Sequence, residues 1–504
     1  MSVPAEQLPA EMTLAELLHG YVEAPELTVA GISSDSRNLQ DGDLFLACQG
    51  LTSHGIDYID DAIAAGVVAV AYDSSTTQLP ERQFAVPVLP IENLHKHLGN
   101  IANRFFAAPT ASVRVIGVTG TNGKTTVAWL IAQCLERLGE SCAYIGTLGS
   151  GMVQVELHEG MTTPATIDMH RQLAEFRDQG ARFAAVEVSS HALEQNRVDS
   201  VAFDSVLFTN LSRDHLDYHG DMQSYADAKA RLFFEYSAKQ RIINLDSEYG
   251  EKLAERCGPD VITVSTDPAR IPGIRPFVFV RSVVANDAGS MVNVHSSWGD
   301  SEFLLPLPGE FNVENALIAL ALLLHQGVPM EKACAVLELV DAPPGRMQRI
   351  AGDNSRPAVY VDYAHTPEAL QVVLHALREH CSGKLWCVFG CGGDRDQGKR
   401  PQMGAVVEEY ADVAIVTNDN PRNEAPDNII AGILGGVQNP DEVTVIEDRA
   451  AAIAWAIANA DDQDVVLIAG KGHENYQIIG TDRRDFSDAG CAIANLEYRN
   501  GAQS

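Results

Sequence analysis

The chain has 504 residues, of which 46% are hydrophobic and 21% charged, an ordinary globular composition with room for about three domains of ~150 residues each. Its formal net charge of -32 repels nucleic-acid backbones and anionic lipid, so neither nucleic acid nor membrane is expected as a partner. Anionic small molecules stay in play, provided a few Arg and Lys residues and helix N-termini build their sites locally.

The first residues, MSVPAEQLPAEMTLAELL, lack a basic stretch followed by an apolar core. The longest apolar run, 316–324, stops at His325 and falls short of the ~18 residues a membrane span needs. A cytoplasmic protein is expected. Nine cysteines, an odd number, fit reduced thiols better than a disulfide framework. Cys381, Cys387 and Cys391 form the one cluster, and their spacing is not that of a zinc site.

In chain order, residues 1–110 read as a smaller α/β domain with strand-like runs at 44–47 and 67–71, a helical stretch at 57–65, and a small-residue junction at Ala107-Ala108-Pro109-Thr110. Residues 111–343 open with a strand over 113–119, a glycine loop and a helix over 124–138. Further strands are expected at 183–188, 206–209 and 241–245, β-rich decoration at 254–305, and a helix over 313–326 before a break at Asp341-Ala342-Pro343-Pro344-Gly345. Residues 344–504 alternate continuous apolar strands near 358–362, 385–390, 412–417, 443–446 and 464–469 with helices, the pattern of a parallel sheet buried on both faces. Thr366 and Pro367 are placed to cap and start one of those helices. The expected fold class is α/β in three domains. The small N-terminal one precedes a central P-loop-type, mainly parallel sheet with helices, and a Rossmann-like C-terminal domain follows.

The loop Gly120-Thr121-Asn122-Gly123-Lys124-Thr125-Thr126 lies between a strand and a helix, where backbone N–H groups and the helix dipole hold phosphate. Lys124 supplies charge to the β- and γ-phosphates, and Thr125 or Thr126 can ligate Mg²⁺. The strict G-x-x-x-x-G-K-[ST] form is not met, because Val118 occupies the first glycine position. Glu187, in Glu187-Val-Ser-Ser-His191, ends a strand, where a metal-binding carboxylate facing a nucleotide belongs. His215 and His219 are four apart, a zinc-like spacing, but no third ligand sits at the usual offset and Gly220 ends any helix there. Taken alone, Lys229 would read as an exposed helix lysine, and Asn312 and Asn315 as helix caps.

These elements together resemble the Mur ligase superfamily, which also includes folylpolyglutamate synthetase. The shared features are G-T-N-G-K-T-T, E-V-S-S-H, and D-H-L-D-x-H followed about 14 residues later by a lysine. The resemblance implies an ATP-dependent, amide-forming ligase using Mg²⁺, with catalytic groups Lys124, Glu187, His215 and Lys229. In that light Thr125, Glu187, His215 and Lys229, the last as a carbamate, would hold metal. Asn312, Asn315, Arg346, Asp362 and His365 would contact ATP, clamped between two domains.

On the C-terminal unit, special residues follow four strands: His365; Gly392-Gly-Asp-Arg395; Asp419-Asn420-Pro421-Arg422; and Gly470-Lys-Gly-His-Glu474. Ligand sites of open α/β sheets lie at such strand ends. Two guanidiniums in an acidic protein suit a carboxylate-bearing ligand. Within the family, D-N-P-R resembles members that add meso-2,6-diaminopimelate to a UDP-linked muramoyl dipeptide in peptidoglycan precursor synthesis. Arg422 would bind the distal carboxylate, which lysine lacks. Arg395, Gly470 and Glu474 match further positions for this substrate, Glu474 meeting an ammonium. The precursor would be held by Thr162, Thr163, Ser189, Gln195 and Arg197, and its uridine by loops containing Ser34 and Ser36, and Leu51, Thr52 and Ser53. Taken singly, these loops also read as surface turns. Met161 stands where some relatives have Asn. A monomer acting on small molecules is expected. The rivals are the same reaction with L-lysine, folylpolyglutamate synthesis, and a nucleotide-switch ATPase whose turnover needs no acceptor.

Overall fold

The computed structural model describes residues 12–50, 53–79, 82–152, 161–270, 275–286, 288–350 and 357–503. Its α/β content is arranged around three main sheets. The chain divides into two compact units, one of Met1–Lys124, Gly139–Ile242 and Lys252–Val261, the other of Thr125–Leu138, Ile243–Glu251 and Ile262–Ser504.

In the first unit, β1 (Gly31–Ser33), β2 (Asp43–Ala47), β3 (Ala69–Asp73) and β4 (Val88–Ile91) form a parallel sheet in that order. Every residue of β2 is buried. Leu44 and Leu46 pack with Ile101 and Phe105 of α1 (Leu94–Phe105), while Phe45 and Ala47 pack with Ile59 and Ala62 on the opposite face. The period-2 alternation of a strand thus serves two cores. The helix expected over 57–65 is split. A 3₁₀ turn at Gly55–Tyr58 precedes Ile59–Ala64, because His54 accepts from the Ile56 N–H and Asp57 accepts from the His54 N–H.

The same unit holds β5 (Arg114–Thr119), β6 (Cys142–Gly146) and β7 (Gly149–Gly151); the α2 helix (Lys124–Arg137), between β5 and β6 in the chain, belongs from Thr125 on to the second unit. Helix α3 (Thr166–Asp178), β8 (Phe183–Glu187), β9 (Phe203–Phe208), α4 (Leu216–His219), α5 (Met222–Phe234) and β10 (Ala238–Asn244) follow. Strand order is β10-β9-β5-β8-β6-β7; β9, β5, β8 and β6 are parallel and β7 is antiparallel to β6.

In the second unit, β11 (Ile262–Ser265) lies beside the antiparallel ribbon β12 (Phe277–Asn286), β13 (Gly289–Ser296) and β14 (Gly299–Leu305), the β-rich segment expected from the sequence. Helix α6 (Glu310–His325) buries the apolar run 316–324 in the protein interior. It starts three residues earlier than expected, so Asn312 and Asn315 lie inside it, buried, and neither is its cap.

The C-terminal sheet comprises β15 (Gln348–Ile350), β16 (Ala358–Asp362), β17 (Leu385–Phe389), β18 (Val413–Val416), β19 (Thr444–Val445) and β20 (Val465–Ala469). Their order is β15-β16-β20-β17-β18-β19, parallel except for edge strand β15. Helices α7 (Pro367–Arg378), α8 (Lys399–Tyr410), α9 (Pro426–Leu434) and α10 (Arg449–Asn459) alternate with these strands. After the hairpin β21 (Tyr476–Ile479) and β22 (Asp482–Asp485) comes α11 (Asp488–Gln503). The expected cap of α7 is present, with Thr366 Oγ1 accepting the Ala369 N–H at 3.3 Å. The described residues contain no disulfide and no helix long and apolar enough to cross a membrane.

Candidate functional site

Strand β5 ends at Thr119 and the chain turns at Gly120 with φ +149°. A Cβ there would lie 1.9 Å from Thr209 Oγ1, so only glycine fits. The residues after β9 complete the loop. Thr121 N–H donates to Asn210 O (2.9 Å), Asn122 N–H to Asn210 Oδ1 (2.9 Å), and the Thr209 hydroxyl to Asn122 O (2.5 Å). Lys124 Nζ bends back to Gly120 O (3.0 Å) and Thr121 O (2.8 Å). Thr125 and Thr126, next along α2, are both buried. Asn210 and Thr209 were not singled out in the sequence; their position directly after an apolar strand was the available signal.

Lys229 departs from the reading of a lone helix lysine. It is 1% exposed on α5, its Nζ donates to Gly120 O at 2.7 Å, and it lies over the Tyr225 ring at 4.3 Å. Burial first, and then the neighbouring Lys124 charge, hold its ammonium well below the ordinary lysine range. That shift favours the neutral amine, which is the form that reacts with CO₂. Two lysines thus converge on one carbonyl oxygen.

His215 has φ 52° at the N-cap of α4, with its ring 5.0 Å from His191 and 6.1 Å from Tyr225. Burial lowers its pKa, aided by Lys124 and Lys229 and opposed by Asp214, which favours the neutral imidazole that can ligate a metal. His219 is no zinc partner for it. It is buried, with its ring nitrogens 3.2 Å from Glu194 Oε1 and 2.9 Å from Ser190 Oγ.

Glu187 pairs in register with Val118, at the carboxyl end of β8. Its buried carboxylate accepts from Tyr144 Oη (2.5 Å), Thr147 N–H (2.9 Å) and Thr147 Oγ1 (3.1 Å), and Gly146 leaves room for it, since a Cβ there would clash with Oε1. Tyr144 and Thr147 come from the β6 end and carry no motif that announces them. Among the described residues no three His, Cys, Asp or Glu side chains gather around one point. Magnesium needs no such cage, because it keeps waters and takes one or two carboxylates plus phosphate oxygens. The Glu187 carboxylate fits that demand.

Further along the same unit, Thr163 Oγ1 donates to Glu187 O (2.8 Å) and accepts from Ser189 N–H (3.1 Å), and the Thr162 hydroxyl lies 3.2 Å from Thr147 Oγ1, which is free to accept from it. Arg197 donates to Gln195 Oε1 (2.6 and 3.0 Å) and Thr163 O (3.0 Å), while Gln195 Nε2 donates to Tyr218 Oη (3.2 Å). Thr162, Thr163, Ser189, Gln195 and Arg197 therefore form one connected patch, with the unforeseen Tyr218 tying it to α4. Met161 beside it is exposed. In the N-terminal sheet, Ser34 and Ser36 follow β1, and Ser53 follows the adjacent parallel β2, at the same sheet edge. Leu51 and Thr52 lie outside the described residues.

Within the second unit, Asn312 Nδ2 donates to Pro308 O (2.8 Å), and Asn315 Nδ2 reaches Asn312 Oδ1 (3.5 Å). Asp362 is buried with both oxygens accepting backbone N–H groups, from Met347 and Ala364, each at 2.7 Å. Burial raises its pKa against the pull of Arg346 and those two amides. Arg346 stacks over Tyr363 (4.6 Å), and the His365 and His473 rings lie 4.7 and 5.6 Å from Tyr363. Burial lowers the pKa of both histidines.

The loops after β16, β17, β18 and β20 all leave the carboxyl edge of the C-terminal sheet, as expected for a ligand site. Arg395 and Arg422 flank Gly392, whose Cβ position lies 2.9 Å from Arg422 Nη1 and 3.7 Å from Arg395 Cγ. Arg422 has φ 52°, and its Nη1 donates to Gly393 O at 3.0 Å. Its backbone is paired with β21, Arg422 N–H to Ile478 O (3.1 Å) and Gly480 N–H to Arg422 O (2.7 Å). Gly470, at φ +117°, lets the chain pass Asp419, to whose Oδ2 a Cβ would come within 2.8 Å. Asn420 Nδ2 donates to Glu474 Oε2 at 2.9 Å.

Supports that the sequence did not reveal lie just beneath. Arg400 and Glu424 form a bidentate pair (2.6 and 2.7 Å) joining the start of α8 to the loop after β18. Arg449 is fully buried and forms a bidentate pair with Asp488 (2.7 Å for both bonds); it also donates to Asn418 O and Ala469 O, each one residue before a site loop.

Three family models match this chain: "Mur ligase family, catalytic domain" over residues 28–106, "Mur ligase middle domain" over 118–323, and "Mur ligase, glutamate ligase domain" over 345–472. The chain is similar to the UDP-N-acetylmuramoyl-L-alanyl-D-glutamate--2,6-diaminopimelate ligase of Coxiella burnetii (strain RSA 493 / Nine Mile phase I), 45% identical over 478 residues that cover 94% of this chain and 97% of the relative. The enzyme of the same name from Haemophilus influenzae (strain PittGG) is 43% identical over 469 residues, 92% of this chain and 95% of the relative. A solved structure of a UDP-N-acetylmuramoyl-L-alanyl-D-glutamate--2,6-diaminopimelate ligase superposes with TM-score 0.73 at 34% identity, covering 97% of this chain and 100% of the other.

Proposed function

The chain belongs to the Mur ligase family, and from that premise we propose that it joins meso-2,6-diaminopimelate to UDP-N-acetylmuramoyl-L-alanyl-D-glutamate at the expense of ATP, in peptidoglycan precursor synthesis. A D-glutamyl carboxylate oxygen attacks the γ-phosphorus, the bond to the β-phosphate oxygen breaks, and ADP leaves. A diaminopimelate amine then attacks the acyl carbon and loses a proton as phosphate departs. Lys124 and the loop N–H groups stabilise charge on the transferring phosphoryl group. Thr125, Glu187, His215 and a carbamate on Lys229 would hold Mg²⁺, which would supply positive charge to offset that of the triphosphate and the incoming carboxylate. The carbamate forms when the neutral Lys229 amine adds to CO₂ and releases a proton.

Asn312, Asn315, Arg346 and His365 are assigned to ATP, and Asp362 to holding the Arg346 segment through the Met347 N–H. Thr162, Thr163, Ser189, Gln195 and Arg197 receive the muramoyl dipeptide, and the Ser34, Ser36 and 51–53 loops the uridine. On this reading the protein works as a cytoplasmic monomer organised in domains 1–110, 111–343 and 344–504.

The observation that carries the substrate assignment is the pair Arg395 and Arg422 beside Gly392, at a strand edge that also presents Glu474. A ligand with a carboxylate and an ammonium at its distal end matches both signs. The test is an amino-acid panel in an ADP-release assay with the UDP-dipeptide present. Diaminopimelate should support turnover, and Arg422→Ala should raise its KM ~30-fold, the loss of a charge-assisted contact of about 2 kcal/mol. Lysine accepted with equal efficiency by the wild type would sink the assignment.

A further inference from the structure

Lys471, in the Gly470–Glu474 loop, is fully buried, and the reaction assigns it no role. Its Nζ lies 3.1 Å from Asn420 Oδ1, 3.1 Å from Glu474 Oε2 and 3.7 Å from Asp419 Oδ1, and 5.4 Å from the centre of the Tyr476 ring. Each polar partner is a residue assigned to the amino-acid substrate. An apolar residue in a buried charge's place is often no less stable, so stability alone gives little reason for a lysine here.

The connections have a direction. The Asn420 amide is fixed at both ends, Oδ1 accepting from Lys471 and from the Ile478 N–H (2.9 Å), and Nδ2 donating to Glu474 Oε2. Glu474 Oε2 thus takes two donors, while Oε1 has none among the described residues. One oxygen anchored and the other left over is the state of a carboxylate held ready for a cationic ligand. The charges agree: the Lys471 ammonium lies within 4 Å of both the Asp419 and the Glu474 carboxylates and offsets the charge of one of the two.

We propose that Lys471 is a positioning residue for substrate selection, bound to Glu474 Oε2 and Asn420 Oδ1 so that the Glu474 carboxylate meets the ammonium group of the incoming amino acid. This rests on the amino-acid site described above. It makes Lys471 a determinant of amino-acid affinity without contact to the reacting atoms.

The test measures ADP release by the full-length wild type, Lys471→Met, Glu474→Gln and the double variant, varying each of the three substrates in turn. Wild-type turnover with diaminopimelate is established first. If it is absent, the substrate assignment fails, and the role of Lys471 is judged with whichever amino acid the enzyme accepts. Lys471→Met should raise the amino-acid KM ~30-fold while kcat and the other two KM values stay within ~threefold. The double variant should be no worse than the poorer single by more than ~threefold, because both changes remove one interaction. Multiplicative losses, or an equal rise in all three KM values, would overturn the proposal. Should Lys471→Met not fold, Lys471→Gln takes its place, with Lys471→Arg as the conservative rescue. A Gln variant with wild-type amino-acid KM, or Arg and Gln variants equally impaired, would overturn it as well.

Discussion

At the scale of single residues, Lys229 shows most plainly how context sets chemistry. Lys229 has a carbonyl and an aromatic face as close partners, and burial, then the Lys124 charge, outweigh the pull of Asp214, so its folded pKa falls well below the usual value. The sign of the linkage follows: the folded state disfavours the proton, so ligand-free protein gains stability as pH rises from the depressed folded value toward the ordinary lysine value of 10.5. Lys229→Met should therefore raise the thermal midpoint of CO₂-depleted protein while abolishing ADP formation. In ¹³C-bicarbonate, NMR should show a carbamate resonance in the wild type and none in the variant. A lower midpoint for the variant would mean that the Gly120 hydrogen bond outweighs desolvation. Motif order in the sequence pointed to Lys229, but nothing local to it foretold burial. Its partner carbonyl lies 109 residues away, and only the folded sheet brings them together.

Elements set the precision of the site. The parallel strands of the C-terminal sheet were legible because residues buried on both faces write continuous apolar runs, and the α7 start was legible because capping is local. Long-range polar braces were not. Arg449 and Asp488 are 39 residues apart and look like ordinary surface charges in the sequence, yet both are fully buried and join α10 to the start of α11. Removing one partner strands the other's charge in the interior, so Arg449→Met should cost about 3–5 kcal/mol in urea unfolding, with much of it recovered when Asp488→Leu is added. Because Arg449 also holds the carbonyls of Asn418 and Ala469, the single variant should in addition weaken amino-acid binding. The split helix at 55–64 was misread for a related reason: a histidine capping a backbone N–H leaves no periodicity to detect.

For the molecule as a whole, the net charge of -32 sets the approach of substrates, two of which are polyanions. The few cations that receive them act at contact distance, whereas the repulsive field reaches about a Debye length, ~10 Å at 0.1 M salt. Raising KCl from ~20 to ~200 mM should thus lower the KM for ATP and the UDP-dipeptide by about twofold at unchanged kcat. A rise in KM would mean that Lys124, Arg197 and their neighbours dominate the field. The strand–helix alternation and the ordered motifs made the α/β class and the family resemblance readable. The amino-acid loop nevertheless owes its path to a hairpin that no motif marks. The Arg422 main chain is gripped by β21 through its N–H and C=O, groups that every residue except proline carries. Position and identity at 422 are thereby separated. A point mutation to a residue that tolerates the φ of 52° changes what the side chain recognises while both backbone pairings stay in place, so substrate preference is free to diverge between descendants of such a protein in single steps.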